Sequence, residues 1–340
     1  MKRSAITIAA AALAMLAVSA FSGAAQAQQD PGPPAYASAM QGKKVVLVPM
    51  AMGFDLAQGW AYYVKKEVTG FGGTFETRDP NWVVDAGAQA ITEVISSDPK
   101  PAVLIIHSPD LNSYSKLMKK AQANGIYVIL VDNPANFAAD AFVGSDWDRL
   151  GQLEAEAAVK GCGPNSSKKI GLVQGDQVNS SSLYQYNGIM KVLAKHPDFQ
   201  VVAKPDSDWD ATKSRTVTTT MLQQHPDICS VIDFWDGDAT GSSAAIRDAG
   251  LQGKVFLVTT GGGEKVDCDN LESGVFGAVV MTELQNQSRD MNAVIKFLLQ
   301  SGQKPGTSHT YIYTLEKATT KADIKADTCW DLKALQASAQ

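Results

Sequence analysis

Three carboxylates crowd one indole in the stretch VIDFWDGDAT, where Asp233, Asp236 and Asp238 surround Trp235. Residues of these types could act as an acid/base pair, cage a metal ion, or line a pocket that holds a solute unchanged. A glycosidase would need a second carboxyl across a cleft, and Asp208 or Asp132 could serve opposite Asp236. Calcium would need about six to eight oxygens, and the following ATGSSAA supplies no distal glutamate. His107 stands alone, without a Cys or His at ligand spacing, so hydrogen bonding suits it better than metal binding. G-x-S-x-G, H-E-x-x-H and G-x-x-x-x-G-K-[ST] are all missing from the sequence. The glycine run of VTTGGGEKV lacks dinucleotide spacing. No catalytic residue, metal or cofactor is therefore expected, and the pocket wall is the reading pursued.

The elements that would position these side chains alternate regularly. Short β-branched runs (KVVLVPM, AVLIIHS, YVILVDN, then KIGLVQG, SVIDFW, KVFLVTT) are separated by helical patterns such as AQGWAYYVKKEVTGFG and SSLYQYNGIMKVLAKHP. This grammar implies right-handed βαβ units and predicts two doubly wound, parallel-sheet α/β lobes, joined near residues 144–147. In such sheets ligands sit beyond the carboxyl ends of the strands. In the first half those ends carry Phe54, Asp55, Asp79, Trp82, His107, Asp132 and Asn133. In the second they carry Gln174, Asn179, Asp208, Trp209, Trp235, Asp236 and Thr260. Aromatic faces mixed with short polar groups and few cations suit an uncharged polyhydroxylated ligand. Trp60, on helical spacing with Val64 and Val68, reads instead as core. Trp82 could cap the pocket mouth or pack beneath a loop.

Composition narrows the class further. The 340 residues, 45% hydrophobic and 19% charged, supply ample core for two domains. Thirty basic against 35 acidic residues, a net charge of -5, leave no broad footprint for nucleic acid or an anionic membrane. Residues 1–27 read as a signal peptide: Lys2 and Arg3, a short apolar run, then Ala25-Gln26-Ala27. Residues 28–42 read as a flexible leader, and the exported protein is expected in the periplasm. There the four cysteines, Cys162, Cys229, Cys268 and Cys329, are expected in disulfides, with three pairings open. Should KIGLVQG and SVIDFW be parallel neighbours, Cys162 and Cys229 would meet, and Cys268 with Cys329 would tie down the tail.

In order and spacing, several stretches together carry a resemblance: KVVLVPMAMGFDLAQGWAYYVKKE, PAVLIIHSPDLNSYSKLMKKAQANGIYVILVDN, FVGSDWDRLGQLEAE, KIGLVQG with YQYNGIMKVL, DWDATKSRTVTTTMLQQHPDICSVIDFWDGDATGSSAAIRDAG, and SGVFGAVVMTE. From about residue 42 to about 315 the chain resembles the periplasmic sugar-binding proteins of the ribose/galactose type. The resemblance implies two lobes joined by three hinge strands, closing on a sugar or polyol and presenting it to an ABC permease. The lobes are expected at residues 43–145 with 283–310 and at residues 146–282 with 311–340, in a monomer. A sensing module for a membrane kinase or chemoreceptor would share this plan, and a paired-carboxylate glycoside hydrolase is the enzymatic alternative.

Carried over residue by residue, the resemblance assigns ligand contacts to Phe54, to Asp132 and Asn133 at an Asp-Arg position, and to Trp209. It adds Trp235 and Asp236 at an Asn-Asp position, and Thr282 or Glu283 at the second crossing. Gln185 stands where an arginine is usual, and Gly261 where an aspartate is usual. The lost bidentate cations point toward an acyclic polyol, an unusual monosaccharide or a small non-sugar compound.

Overall fold

A computed structural model describes residues 33–337. The signal peptide expected at residues 1–27 and the first part of the expected leader lie outside the described residues. The remainder of the leader is structured: α1 (Pro33–Ser38) forms a short helix. Its Tyr36 carbonyl accepts from Gln300, and Met40 is buried in the adjacent core. Residues 33–42 therefore belong to the fold.

The first lobe alternates as expected. β1 (Lys44–Val48), α2 (Asp55–Gly70), β2 (Thr74–Thr77), α3 (Val84–Ser96), β3 (Val103–Ile106), α4 (Ser115–Ala123), β4 (Tyr127–Val131) and β5 (Ala141–Ser145) follow in turn. The second repeats the pattern with α5 (Trp147–Cys162), β6 (Lys169–Val173), α6 (Ser180–Leu193), β7 (Gln200–Ala203), α7 (Ala211–Gln224), β8 (Ser230–Asp233), α8 (Asp236–Asp248), β9 (Phe256–Gly261), α9 (Lys265–Glu272) and β10 (Ala278–Met281). The chain then returns to the first lobe through α10 (Leu284–Ser301) and β11 (Thr310–Thr314), crosses to β12 (Lys317–Thr319), and ends in α11 (Leu332–Ala337).

Two six-stranded sheets result, ordered β11-β5-β4-β3-β1-β2 and β12-β10-β9-β8-β6-β7. Nearly all pairs are parallel, β12 on β10 being antiparallel. Helices cover both faces, so β3, β4 and, after Lys44, β1 are runs of apolar residues, fully buried at Val46, Ile105 and Ile129. On α2 the spacing of Ala57, Trp60, Val64 and Val68 makes one apolar stripe, and Trp60 is core as expected. In each sheet the strand order reverses beside the first strand, between β1 and β3 and between β6 and β8. A crevice forms at such a point, and the two crevices face each other.

The C-terminal part departs from the expected division. β11 pairs with β5 of the first sheet through Thr314, so the third crossing lies beyond residue 310. After β12 the tail crosses again: Trp330, Leu332 and Leu335 pack into the first-lobe core against α2. The Cys268–Cys329 disulfide anchors this strap to α9 in the second lobe. Cys162 and Cys229 are also bonded, with Cα atoms 5.1 Å apart, because β6 and β8 are parallel neighbours.

Glycines let the second-lobe helices pack at backbone distance. A Cβ at Gly188 of α6 would fall on the Asp148 carbonyl oxygen of α5, and one at Gly241 of α8 on the Ala211 carbonyl oxygen of α7. Gly188→Ala should therefore lower stability by about 1–3 kcal/mol despite alanine's better helix propensity. Thermal denaturation checks this; an unchanged melting temperature would mean that the helices can separate freely.

Candidate functional site

Strand ends and helix starts from both lobes line one cavity between them. The first lobe contributes Met50, Phe54, Trp82, His107, Asp132 and Asn133. Across from them stand Trp147, Asn179, Trp209, Trp235 and the Thr260–Gly262 turn. Helix caps set several of these. Asn179 accepts from the Ser181 amide to start α6, and Asp146 accepts from Arg149 to start α5 beside Trp147.

The aromatic side chains form a continuous wall. Phe54 lies 5.5 Å from Trp82 and, edge-on, 6.0 Å from Trp235 between ring centroids. Trp235 lies 5.9 Å from Trp82 and 6.3 Å from Trp209. The lobes thus touch through rings, and Asn179 Nδ2 also reaches across to the Pro109 carbonyl at 2.8 Å. The cleft is closed.

One loop device serves both lobes. After β2 the pair Asn81-Trp82 has φ of 49° and 65°; after β7 the pair Asp208-Trp209 has φ of 54° and 59°. Left-handed backbone is strained for a bulky residue, and here it turns each indole into the cleft. The segments read DPNW and DSDW, a repeat visible in the sequence that would have settled Trp82 as a lining residue.

The polar floor is buried. Asp132 Oδ1 accepts from Gln287 at 3.3 Å, and Gln287 in turn accepts from the Trp60 indole at 2.9 Å. The Asp132 carbonyl receives the Trp147 indole at 2.8 Å. Burial raises the Asp132 carboxyl to about 7 and lowers His107 to about 4. Their 3.6 Å approach therefore joins a neutral imidazole to a carboxyl, not two ions. Several buried polar atoms on the lining lack a protein partner: Asn133 Oδ1, His107 Nδ1 and Trp209 Nε1. Such atoms are costly unless a ligand or an ordered water meets them.

Five expected contacts, Phe54, Asp132, Asn133, Trp209 and Trp235, line the cavity, as does Thr282, while three lie elsewhere. Gln185 is fully buried between α5 and α6, where it donates to Glu154 at 2.8 Å. Glu283 is exposed at the start of α10, bonded to Asn286. Asp236 lies behind the Gly261–Gly262 wall, with carboxylate oxygens of Asp236, Glu264 and Asp267 within 4.8 Å of one another. The opening trio of carboxylates does not converge. Asp233 accepts from Ser214 and Ser242, Asp238 accepts from Ser207, and Asp236 turns to α9. Asp208 is exposed and ion-paired with Lys213, so it does not face Asp236 as a hydrolytic pair would require.

Two α/β lobes closing over a lined crevice define the class of type I solute-binding folds. The sequence model of the periplasmic binding protein domain matches residues 45–304, and the chain belongs to that family. It is 29% identical over 162 residues to the D-allose-binding periplasmic protein of Escherichia coli K12, covering 45% of this chain and 52% of that one. Over 135 residues it is 30% identical to the D-apiose import binding protein of Paraburkholderia graminis, covering 39% and 42%. The chain spans about half the length of the curated relatives it matches. Among solved structures, an ABC transporter solute-binding protein from Agrobacterium vitis bound with α-D-tagatopyranose superposes with a TM-score of 0.76. That match has 18% identity over 84% of this chain and 97% of the other. Among the described residues no helix is long and apolar enough to cross a membrane.

Proposed function

We propose that this protein is the periplasmic solute-binding component of an ABC importer, taking a sugar or polyol into the closed cleft and presenting it to a permease. The observation that carries the reading is the cavity itself, where aromatic walls from both lobes meet over buried, unpartnered polar atoms. Flat rings cover the C–H faces of a small polyol while Asn133, His107 and Trp209 exchange hydrogen bonds with its hydroxyls. Membership of the periplasmic binding protein family supports this assignment, as do the names of the allose- and apiose-binding relatives. The signal-peptide pattern of residues 1–27 fits export to the periplasm. Ligand binding would hold the lobes shut, and only the closed surface would engage the permease.

A thermal-shift screen over sugars, polyols, sugar acids and small aromatics tests the reading. A sugar or polyol should raise the melting temperature by mass action and be recovered unchanged after incubation. Chemically altered ligand would replace binding with catalysis, and stabilisation by small aromatics alone would reject the sugar or polyol.

A further inference from the structure

We propose that Trp330 is a positioning residue of the site: through it the C-terminal strap holds the Gly261–Gly262 wall of the cavity in place and limits how far the lobes part. This rests on the closing cleft of the function proposed above, and on no particular solute. Trp330 belongs to both lobes at once. Its indole is buried in the first-lobe core, in one cluster with Trp60, Leu284 and Met291. Its backbone runs along the second-lobe loop that follows β9. The Trp330 amide donates to the Gly263 carbonyl at 2.9 Å, and the Lys265 amide donates to the Trp330 carbonyl at 2.7 Å. The indole Nε1 donates to the Gly262 carbonyl at 2.8 Å. Gly262 lines the cavity, and a Cβ on it would come within 2.9 Å of Leu56 Cδ1 on α2. The wall is thus gripped by the strap and already seated against the first lobe.

The anchors on either side of Trp330 leave the strap little slack. Cys329 is bonded to Cys268 of α9 and packs against the second-lobe core. Leu332 and Leu335 pack against the first-lobe core beside α2. The steps from Cys329 to Leu332, fully extended, reach about 10 Å at most. The strap also runs on the hinge side, where Cys329 and Trp330 share a hollow with Met281, Glu283 and Lys317, residues beside the second and third crossings. A short link at that place confines opening to a rotation about itself. Wider opening must pull the indole from the first-lobe core or strip the Gly262–Lys265 loop of its three hydrogen bonds to Trp330. Either loss is costly, one as a vacated core site and the other as unpaired backbone groups.

The test uses the mature chain without added solute, so its outcome does not depend on which solute binds. Cys268→Ser with Cys329→Ser cuts the second-lobe anchor. Small-angle scattering should then give a radius of gyration larger by about 0.5 Å or more, on about 19 Å for a chain of this length. Amide exchange across residues 262–265 should quicken about tenfold or more. Trp330→Phe keeps an apolar ring and removes the Nε1 donor, and should quicken the same amides about threefold. Cys162→Ser with Cys229→Ser opens the disulfide that lies within the second lobe, and should lower the melting temperature while moving neither readout. An unchanged radius and unchanged exchange without the Cys268–Cys329 bond would overturn the proposal. So would the same changes in the Cys162–Cys229 control, since they would then report general loosening. Should the Cys268/Cys329 variant fail to fold, Trp330→Phe decides by its exchange alone. A solute screen that finds no sugar or polyol would leave a positive result here standing, so the two readings fail separately.

Discussion

Trp235→Ala is expected to weaken ligand binding by at least about tenfold, roughly 1.4 kcal/mol or more, while the protein stays folded. The indole sits at the cap of α8, where extended backbone (φ of -158°) turns it out of the helix. Gly237 leaves room beside it, since a Cβ there would strike the ring. Trp235 touches Trp209 in its own lobe and Phe54 and Trp82 in the other, so it forms both a wall of the cavity and part of the closure contact. Truncation removes a ring face from the ligand and leaves the lobes less area over which to meet. Both losses raise the dissociation constant. The hydrophobic cores beneath are built from other residues, and Trp235 is only half-buried, so the fold should survive. Calorimetry with the stabilising solute measures the effect; an unchanged constant would remove Trp235 from the site.

The lobes were legible because parallel strands buried on both faces leave unbroken apolar runs, such as YVILV in β4 and VLII in β3. The tail was not legible, because TYIYT alternates exposed and buried residues as any edge strand would. Nothing in that alternation tells which sheet it joins, and pairing with β5 is a tertiary choice. α11, similarly, has no signal of its own for α2. Taking the residues after each strand gave Phe54, Asp132, Asn133, Trp209 and Trp235, which line the cavity, since topology alone brings those ends together. Gln185 and Glu283 lie off the lining for a different reason. A residue's place on a helix does not give the direction of its side chain, and Gln185 turns inward to satisfy the buried Glu154. Asp236 was misplaced by one layer, because its carboxyl prefers the company of α9 to the cavity.

Without ligand, the protein should be more stable at about pH 5.5 than at pH 8, by roughly 5 °C or more in melting temperature. Burial raises Asp236 to about 6, Asp132, Asp238 and Glu316 to about 7, and Glu264 to about 8, and it holds Asp267 well above the ordinary range. Like charges add to this: Asp236 and Glu264 face Asp55, Glu264 and Asp267 face Asp236, and Asp238 faces Asp208, Asp210 and Asp236. Glu316 faces Asp146 and, in opposition, Arg149. In the unfolded chain such groups release their protons near pH 4. Between about pH 4 and 8 the native state therefore holds protons that the unfolded state has lost, and stability falls as pH rises. His107 works the other way: held near 4, it favours the fold at higher pH between about 4 and 6.5. It is one group against several. Glu264→Gln removes one of the raised carboxyls and should lift the melting temperature at pH 8 while flattening its pH dependence. A melting temperature that climbs from pH 5.5 to pH 8 in the ligand-free protein would mean that these carboxyls are ionised in the fold without penalty.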